Sequence, residues 1–359
     1  MLEKDKCTGC MACACICPRN AISIIEDEGK FLYPKINYDY CNNCNLCERV
    51  CPVISKCNEN NYIGKALACI NKDEKIRMQS SSGGIFSLIA EHIIKNNGIV
   101  FGVSLNDELE VVHTYAENVE DLKKFRGSKY VQSNIDKTYS IVKKFLDEGR
   151  KVLFTGTPCQ VEGLYSFLRK EYLNLYTQDI ICHGVPAPQL LEKYIQYKEK
   201  DNQGKINKVS FRDKENLGWS NFQLKIDYET KNECMSHDED PFMQLFLRDI
   251  ALRKTCYDCN FKRENRISDI TLADFWGINN VLPEMNDEKG ISAVMINSEK
   301  GMELFENIKE KIIYKETTKK EIQKYNPNFV KSAKKFDRRE EFFKDLENKD
   351  FEYLIEKYL

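Results

Sequence analysis

Apolar residues between positions 85 and 93 recur at helical spacing, and they predict the first helix of a longer alternating pattern. The periodic residues are Ile85, Leu88, Ile89 and Ile93. Ser80 to Gly84 precedes the run, and Asn96-Asn97-Gly98 would end it, as expected for the two ends of a helix. The apolar run 99–103 then follows as a strand.

Strand and helix patterns continue to alternate as far as residue 181, which is typical of an α/β domain. The predicted strands are 66–70, 99–103, 111–115, 152–155 and 176–181, and helices are predicted at 135–146 and 158–172. Further strands are predicted within 205–230, and an amphipathic helix at 241–252. Residues 336–359 are charged with spaced apolar positions, which indicates a helix packed on the surface.

Composition narrows the class of protein. The chain has 359 residues, of which 42% are apolar, and this is enough for more than one domain. The net charge of −2 argues against nucleic acid as the main partner. No apolar stretch reaches the ~18 residues that a membrane span needs, and residues 1–6 are too few and too polar to predict a signal peptide. A cytoplasmic protein without a membrane span is therefore expected.

Eight of the sixteen cysteines form two copies of one spacing near the start of the chain. The runs are Cys7-x2-Cys10-x2-Cys13-x3-Cys17-Pro18 and Cys41-x2-Cys44-x2-Cys47-x3-Cys51-Pro52. This spacing holds two [4Fe–4S] clusters, and the fourth cysteine of each run ligates the other cluster. The first set is therefore expected to be Cys7, Cys10, Cys13 and Cys51, and the second set Cys41, Cys44, Cys47 and Cys17. Zinc or a disulfide framework is disfavoured because both runs are complete.

Residues 1–55 resemble a bacterial two-cluster ferredoxin. The resemblance implies a small βαββαβ-like unit with short strands at 22–25 and 31–36. The predicted organisation is therefore a ferredoxin-like two-cluster domain at 1–55, a connection at 56–78, an α/β domain at 79–318 and a charged helical tail at 319–359. The fold class is α+β for the first domain and α/β for the larger one.

A third set of cysteines, Cys159, Cys182, Cys256 and Cys259, lies at predicted strand ends or in loops. From the residues alone this set could hold another cluster or zinc, or could consist of inert thiols. Thiols that fit no set are interpreted as packing residues. These are Cys15, Cys57, Cys69 and Cys234.

Several short sequence words occur in one order along residues 65–310. They are Ser82-Gly83-Gly84, Lys129-Tyr130-Val131-Gln132-Ser133, Gly156-Thr157-Pro158-Cys159-Gln160, Ile181-Cys182-His183-Gly184-Val185-Pro186, Phe211-Arg212 with Gly218-Trp219, Cys256-x2-Cys259-x-Phe261, and Asp269-Ile270-Thr271 with Asp274-Phe275-Trp276-Gly277. In these words the chain resembles the family of coenzyme F-420 hydrogenase/dehydrogenase beta subunits. The resemblance implies that the protein binds FAD and at least one [4Fe–4S] cluster. It also implies that the third set of cysteines ligates this cluster.

The predicted FAD contacts lie within or beside the same words. They are Ser82, Gly83, Gly84, Lys129, Tyr130, Gln132, Ser133, Thr155, Gly156, Thr157, Gln160 and His183. Amides at the start of a helix could hold the diphosphate, and His183 could donate a hydrogen bond to a cluster or to the flavin. An ordinary helix start and an ordinary structural histidine are the alternatives.

The sequence thus predicts an enzyme, an FAD- and iron–sulfur-dependent oxidoreductase that passes electrons between a one-electron partner such as ferredoxin and an organic two-electron substrate. Reduced coenzyme F-420 as donor is one alternative, and a non-catalytic electron-transfer subunit of a larger complex is another. Direct use of NAD(P)H is disfavoured, because no Gly-x-Gly-x-x-Gly fingerprint is present. Neither the substrate nor a catalytic residue can be named from the sequence.

Overall fold

The computed structural model describes residues 2–55 and 62–359, so Cys57 and part of the predicted connection lie outside the described residues. The strands are β1 Ile22–Glu26, β2 Leu32–Ile36, β3 Ala66–Asn71, β4 Ile99–Leu105, β5 Val111–Ala116, β6 Val152–Thr155, β7 Leu175–Ile180, β8 Ile206–Asp213, β9 Gln223–Tyr228, β10 Asn232–Ser236, β11 Ile270–Asp274, β12 Ser292–Ile296 and β13 Ile312–Thr317. The helices are α1 Ala12–Ile16, α2 Leu46–Arg49, α3 Glu74–Met78, α4 Ile85–Lys95, α5 Thr138–Asp147, α6 Pro158–Leu168, α7 Pro188–Asn202, α8 Pro241–Leu247, α9 Ile278–Val281, α10 Glu299–Ile308, α11 Lys319–Tyr325, α12 Arg339–Asn348 and α13 Phe351–Tyr358.

A mixed eight-stranded sheet, in the order β13-β3-β12-β11-β7-β6-β4-β5, organises the larger of the two described ranges. The pairs β4–β6, β6–β7 and β7–β11 are parallel, and the remaining pairs are antiparallel. The three parallel pairs bring the carboxyl ends of β4, β6, β7 and β11 to one edge of the sheet, where ligand sites of α/β proteins form. The predicted α/β class is confirmed.

Each face of this sheet is covered by a different set of elements. Leu88, Ile89 and Ile93 of α4 pack on one face together with residues of α10. Helices α5 and α6 cover the other face, and this core also takes in Met11, Ala12 and Val50 from the cysteine-rich segment. The ferredoxin-like unit, built around the antiparallel β1–β2 hairpin, therefore packs against α6 through an apolar contact.

Several predicted helices end earlier than expected. Helix α6 stops at Leu168 because Arg169 takes a left-handed conformation, with φ of 57°. Helix α8 stops at Leu247, before the left-handed Asp249. Within residues 336–359, where the pattern predicts one helix, the tail forms α12 and α13 as two separate helices, and Asp350 caps the second through a bond from the Tyr353 amide. Its Phe342 and Phe343 are buried in one core with Phe31, so the tail packs on the ferredoxin-like unit.

A smaller antiparallel sheet, β10-β9-β8, packs with α7 and α8 in that same core. Among the described residues, no helix is both long enough and apolar enough to cross a bilayer.

Candidate functional site

Members of the first set come together around a cavity of about 360 Å³, which Cys7, Cys10, Cys13 and Cys51 line. Cys47 of the second set also borders this cavity. Burial raises the pKa of Cys10 to about 12, and the neighbouring charges of Cys7 and Cys51 add to the rise. Cys51, the last cysteine of the second run, therefore lies beside Cys7, Cys10 and Cys13 of the first run.

The second set is more open. Cys44 is exposed, and the pKa of Cys47 is raised by burial and, more weakly, by the neighbouring Cys44. Cys17 Sγ accepts a hydrogen bond of 3.3 Å from the Ala21 amide. This bond does not connect Cys17 to the other three cysteines, so its ligation stays a prediction.

The third set is drawn together from distant parts of the chain. Cys159 lies in the first turn of α6, Cys182 just beyond β7, and Cys256 and Cys259 in and after the short 3-10 helix Lys254–Asp258. Burial raises the pKa of Cys256 to about 12, and the charges of Cys182 and Cys259 contribute. Burial likewise raises the pKa of Cys159 well above its usual value, with Cys259 and Cys182 among the causes.

Local structure explains the position of Cys159. Thr157 and Gln160 form a capping box at the start of α6, and Pro158 occupies the first turn. Thr157 Oγ1 lies 3.1 Å from Cys159 Sγ. Within the described residues no three His, Cys, Asp or Glu side chains are arranged around a single metal ion, so neither zinc nor cluster ligation is tested by this geometry.

A larger cavity, of about 430 Å³, opens at the carboxyl ends of β6, β7 and β11. Most of the predicted FAD contacts line it, together with Cys182. These are Ser82, Gly84, Lys129, Tyr130, Ser133, Thr155, Gly156, Thr157, Gln160 and His183. The structure thus brings the words around residues 82, 130, 156 and 183 into one place, next to the third set.

Gly83 and Gln132 are not among the residues that line the larger cavity. A Cβ on Gly83 would lie 2.3 Å from the Cys69 carbonyl oxygen, and its amide donates to Ser292 Oγ at 3.0 Å, so this glycine is required for packing against the sheet. Gln132 contacts Arg253 and the Thr8 carbonyl, at the boundary with the ferredoxin-like unit.

Some residues that line the larger cavity use their polar atoms in hydrogen bonds within the protein. Gln160 Oε1 accepts from the Thr157 amide at 2.9 Å, and its Nε2 donates to Ser133 Oγ at 2.9 Å. Lys129 Nζ donates to the carbonyls of Lys124 and Arg126, and burial lowers the pKa of Lys129 to about 7. These side chains shape the cavity wall through internal bonds.

His183 has both ring nitrogens engaged by protein groups. Nε2 lies 2.6 Å from Asp249 Oδ1, and Nδ1 lies 2.9 Å from Asn328 Nδ2. The contacts therefore match the structural-histidine alternative, and they show no bond from His183 to a cysteine or into the cavity.

Gln178, a residue of β7 that no sequence motif predicts, also lines the larger cavity. Its side chain is 5% exposed, and Oε1 has no hydrogen-bond partner among the described residues. A buried amide oxygen without a partner is costly, and because Gln178 lines the larger cavity, a group bound there could donate a hydrogen bond to it. No sequence signal marks it, because a glutamine inside a predicted core strand has no motif.

The wall of the larger cavity also includes Arg212, Asp274 and residues of the tail. The Arg212 guanidinium forms a forked ion pair with Asp274 at 2.9 and 3.2 Å. Tyr325 to Asn328 also line the cavity, although the tail gave no functional hint. In the same segment, Ser332 Oγ accepts from the Cys259 amide at 2.9 Å, so the tail also contacts the third set.

Two family models match this chain. Residues 149–321 match the C terminus of the beta subunit of coenzyme F420 hydrogenase/dehydrogenase, and residues 6–54 match the 4Fe-4S dicluster domain. Among solved structures, the fold is similar to a chain of the F420-reducing [NiFe] hydrogenase complex from Methanosarcina barkeri, with a TM-score of 0.52 at 16% identity over 76% of this chain and 92% of that chain. That likeness concerns the fold.

Among curated proteins, the F subunit of F(420)H(2) dehydrogenase from Methanosarcina mazei is 26% identical, over 45% of this chain and 49% of the relative. Coenzyme F420-dependent sulfite reductase of Methanocaldococcus jannaschii is 23% identical, over 52% of this chain and 29% of the relative. The PorD subunit of pyruvate synthase from Thermotoga maritima is 46% identical, over 14% of this chain and 48% of the relative. The matches span about half or less of each relative.

The match at 6–54 lies within the predicted two-cluster domain, whereas the match at 149–321 begins after the sequence words at 82–84 and 129–133. Residues 149–321 therefore match the C-terminal part of the coenzyme F420 hydrogenase/dehydrogenase beta-subunit family, and residues 6–54 match a 4Fe-4S dicluster domain.

Proposed function

We propose that the protein is an iron–sulfur flavoprotein oxidoreductase that moves electrons between a redox partner protein and an organic substrate. The observation that carries the proposal is the larger cavity, which opens beside the third cysteine set and leaves the Gln178 oxygen without a partner among the described residues. A flavin bound there would exchange single electrons with clusters and electron pairs with a substrate.

The approach of Cys10 to α6, the helix that carries Cys159, supports a continuous electron path. A Cβ on Gly163 would lie 2.9 Å from the Cβ of Cys10, so glycine at this position lets Cys10 approach α6 one turn beyond Cys159. The charge of Cys10 also contributes to the raised pKa of Cys159, after burial and nearer groups. The proposed order is the second set, of which Cys44 is exposed, then the first set, the third set and the larger cavity.

The fit of FAD to the larger cavity rests on the groups that this chain offers. Gly84, with φ of 80°, precedes α4, and Ser82 lies beside it at the cavity wall. Amides at the start of α4 would hold the diphosphate, and the Gln178 oxygen would accept a hydrogen bond from the cofactor.

Anaerobic purification with measurement of iron, labile sulfide and extracted flavin tests this proposal. We expect about twelve irons and one FAD per chain, the content of three cubane clusters and one flavin. Reduced ferredoxin and reduced coenzyme F420 are then offered separately, and bleaching is followed at flavin wavelengths. Relatives named for F420 make the second donor a specific alternative. Protein that contains clusters but no flavin after reconstitution would contradict the proposal and favour a non-catalytic electron-transfer subunit.

Gln178→Leu is expected to weaken FAD binding about two- to thirteenfold, because it removes an acceptor worth about 0.5–1.5 kcal/mol. Titration of flavin-free protein with FAD, followed by quenching of flavin fluorescence, gives the dissociation constant.

Gln189→Leu is the matched control. Gln189 Oε1 is also buried without a described partner, but Gln189 lies on α7 and does not line the larger cavity. An equal loss of FAD affinity in both variants would show that Gln178 acts through general stability.

A further inference from the structure

We propose that Arg253 is a positioning residue that holds the first set against the third set and supplies the positive charge that sets the potentials of the clusters there. This inference rests on the proposed function, because it assumes clusters at both sets. It concerns a residue that belongs to none of the sequence words that identify the family.

The Arg253 side chain ties the larger domain to the loop that carries the first set. It is fully buried, with 0% exposure. Nε donates to the Cys7 carbonyl at 2.7 Å, and Nη2 donates to the Leu32 carbonyl at 3.1 Å. Nη1 donates to Gln132 Oε1 at 2.7 Å. Three donors of one rigid guanidinium thus fix the loop at Cys7 relative to the β2 strand.

The backbone of Arg253 forms hydrogen bonds with loops that carry the third set. The Arg253 amide donates to the Val185 carbonyl at 2.9 Å, close after Cys182, and its carbonyl accepts from the Cys256 amide at 2.9 Å. One residue therefore contacts ligand-bearing loops of both sets.

The charge of Arg253 has no carboxylate partner among the described residues. Its described contacts include two carbonyls, one amide oxygen and the face of the Tyr33 ring, whose centroid lies 4.0 Å from the guanidinium carbon. A buried cation is costly without a compensating anion. A cubane cluster with four thiolate ligands carries net negative charge, and such clusters on both sides would compensate the guanidinium.

The loop of the first set is shaped to receive this side chain. Gly9 has φ of 73°, and a Cβ there would lie 2.2 Å from Gln132 Nε2 and 2.9 Å from Arg253 Nη1. Thr255 Oγ1 adds a bond of 3.2 Å to the Lys6 carbonyl on the same boundary. The absence of a side chain at residue 9 thus leaves room for the guanidinium beneath the cysteines.

The test compares Arg253→Met with Arg253→Lys in the full-length holoprotein. Midpoint potentials of the individual clusters are measured by reductive titration with mediators, followed by electron paramagnetic resonance. In Arg253→Met we expect the first and third clusters to shift to more negative potentials, because a cation favours the reduced, more negative cluster. The second cluster serves as internal reference. Arg253→Lys keeps the charge, and its potentials should stay near the wild-type values.

Lys198→Met is the control for loss of a buried cation elsewhere, since Lys198 is paired with Glu233 near the smaller sheet. It should leave all cluster potentials unchanged. Unchanged potentials in an Arg253→Met protein with full iron content would overturn the proposal, as would a shift in Arg253→Lys as large as in Arg253→Met. If Arg253→Met does not fold, the same comparison is made with Arg253→Gln. The readout involves no flavin and no substrate, so failure of the flavin assignment leaves it intact.

Discussion

Replacing Cys159 with alanine is expected to remove about four irons from the protein, the content of one cubane cluster, and to leave the flavin bound. Burial raises the pKa of Cys159, and the neighbouring charges of Cys259, Cys182 and Cys10 add to the rise. Without its thiolate, the proposed path from the first set to the flavin is interrupted. Reduction of the flavin by ferredoxin should therefore be lost, while chemical reduction of the first and second clusters persists.

Iron and sulfide analysis, with spectra of the separate clusters, measures this effect. Cys69→Ala is the control, because Cys69 is a buried thiol of β3 that belongs to no set. A Cys159→Ala protein with full iron content would refute the third cluster. Zinc in the wild-type protein at this set would refute it equally.

The second large effect is expected from the crossed ligands of the first two clusters. Cys51→Ala should remove the cluster held by Cys7, Cys10 and Cys13, since Cys51 lines the same cavity as these three. Cys17→Ala should instead remove the cluster held by Cys41, Cys44 and Cys47. Each change should cost about four irons, and spectroscopy identifies the cluster that is lost.

Cys15→Ala provides the matched control for both variants. Cys15 lies in the same short helix as Cys13, but its thiol contacts the Asp136 carbonyl at 3.2 Å and belongs to no set. Loss of the second cluster in Cys51→Ala, or of the first in Cys17→Ala, would contradict crossed ligation.

These tests use the full-length protein because the ferredoxin-like unit shares its core with the rest of the chain. Met11, Ala12 and Val50 are buried with residues of α5 and α6. Removing residues 1–55 would expose this surface and leave the Arg253 guanidinium without the Cys7 carbonyl. In a truncated protein, the loss of clusters could therefore not be distinguished from the loss of packing.

Local patterns predicted the elements near the site well. The strand 152–155 and the start of α6 at Pro158 follow from an apolar run and a capping signal, both contained within a few residues. The cysteine spacings likewise predicted the dicluster domain that the family comparison supports.

Features that depend on distant contacts could not be predicted. Gln132 directly precedes Ser133 in one sequence word, yet of these two residues only Ser133 lines the larger cavity. The Gln132 side chain instead accepts a hydrogen bond from Arg253, at the boundary with the ferredoxin-like unit. Gln178 lies within a predicted core strand, where no motif marks it as a site residue. The wall formed by Tyr325 to Asn328 arises from a tail whose sequence shows only charge and apolar spacing.

The position of this wall in the chain bears on how the protein matures. Asn328 is separated by 145 residues from His183, and Ser332 by 73 residues from Cys259. Asn328 and Ser332 are both synthesised after every cysteine of the third set. We therefore expect the four cysteines to gather while this side is still open, so that iron and sulfide can be inserted before the tail closes over them.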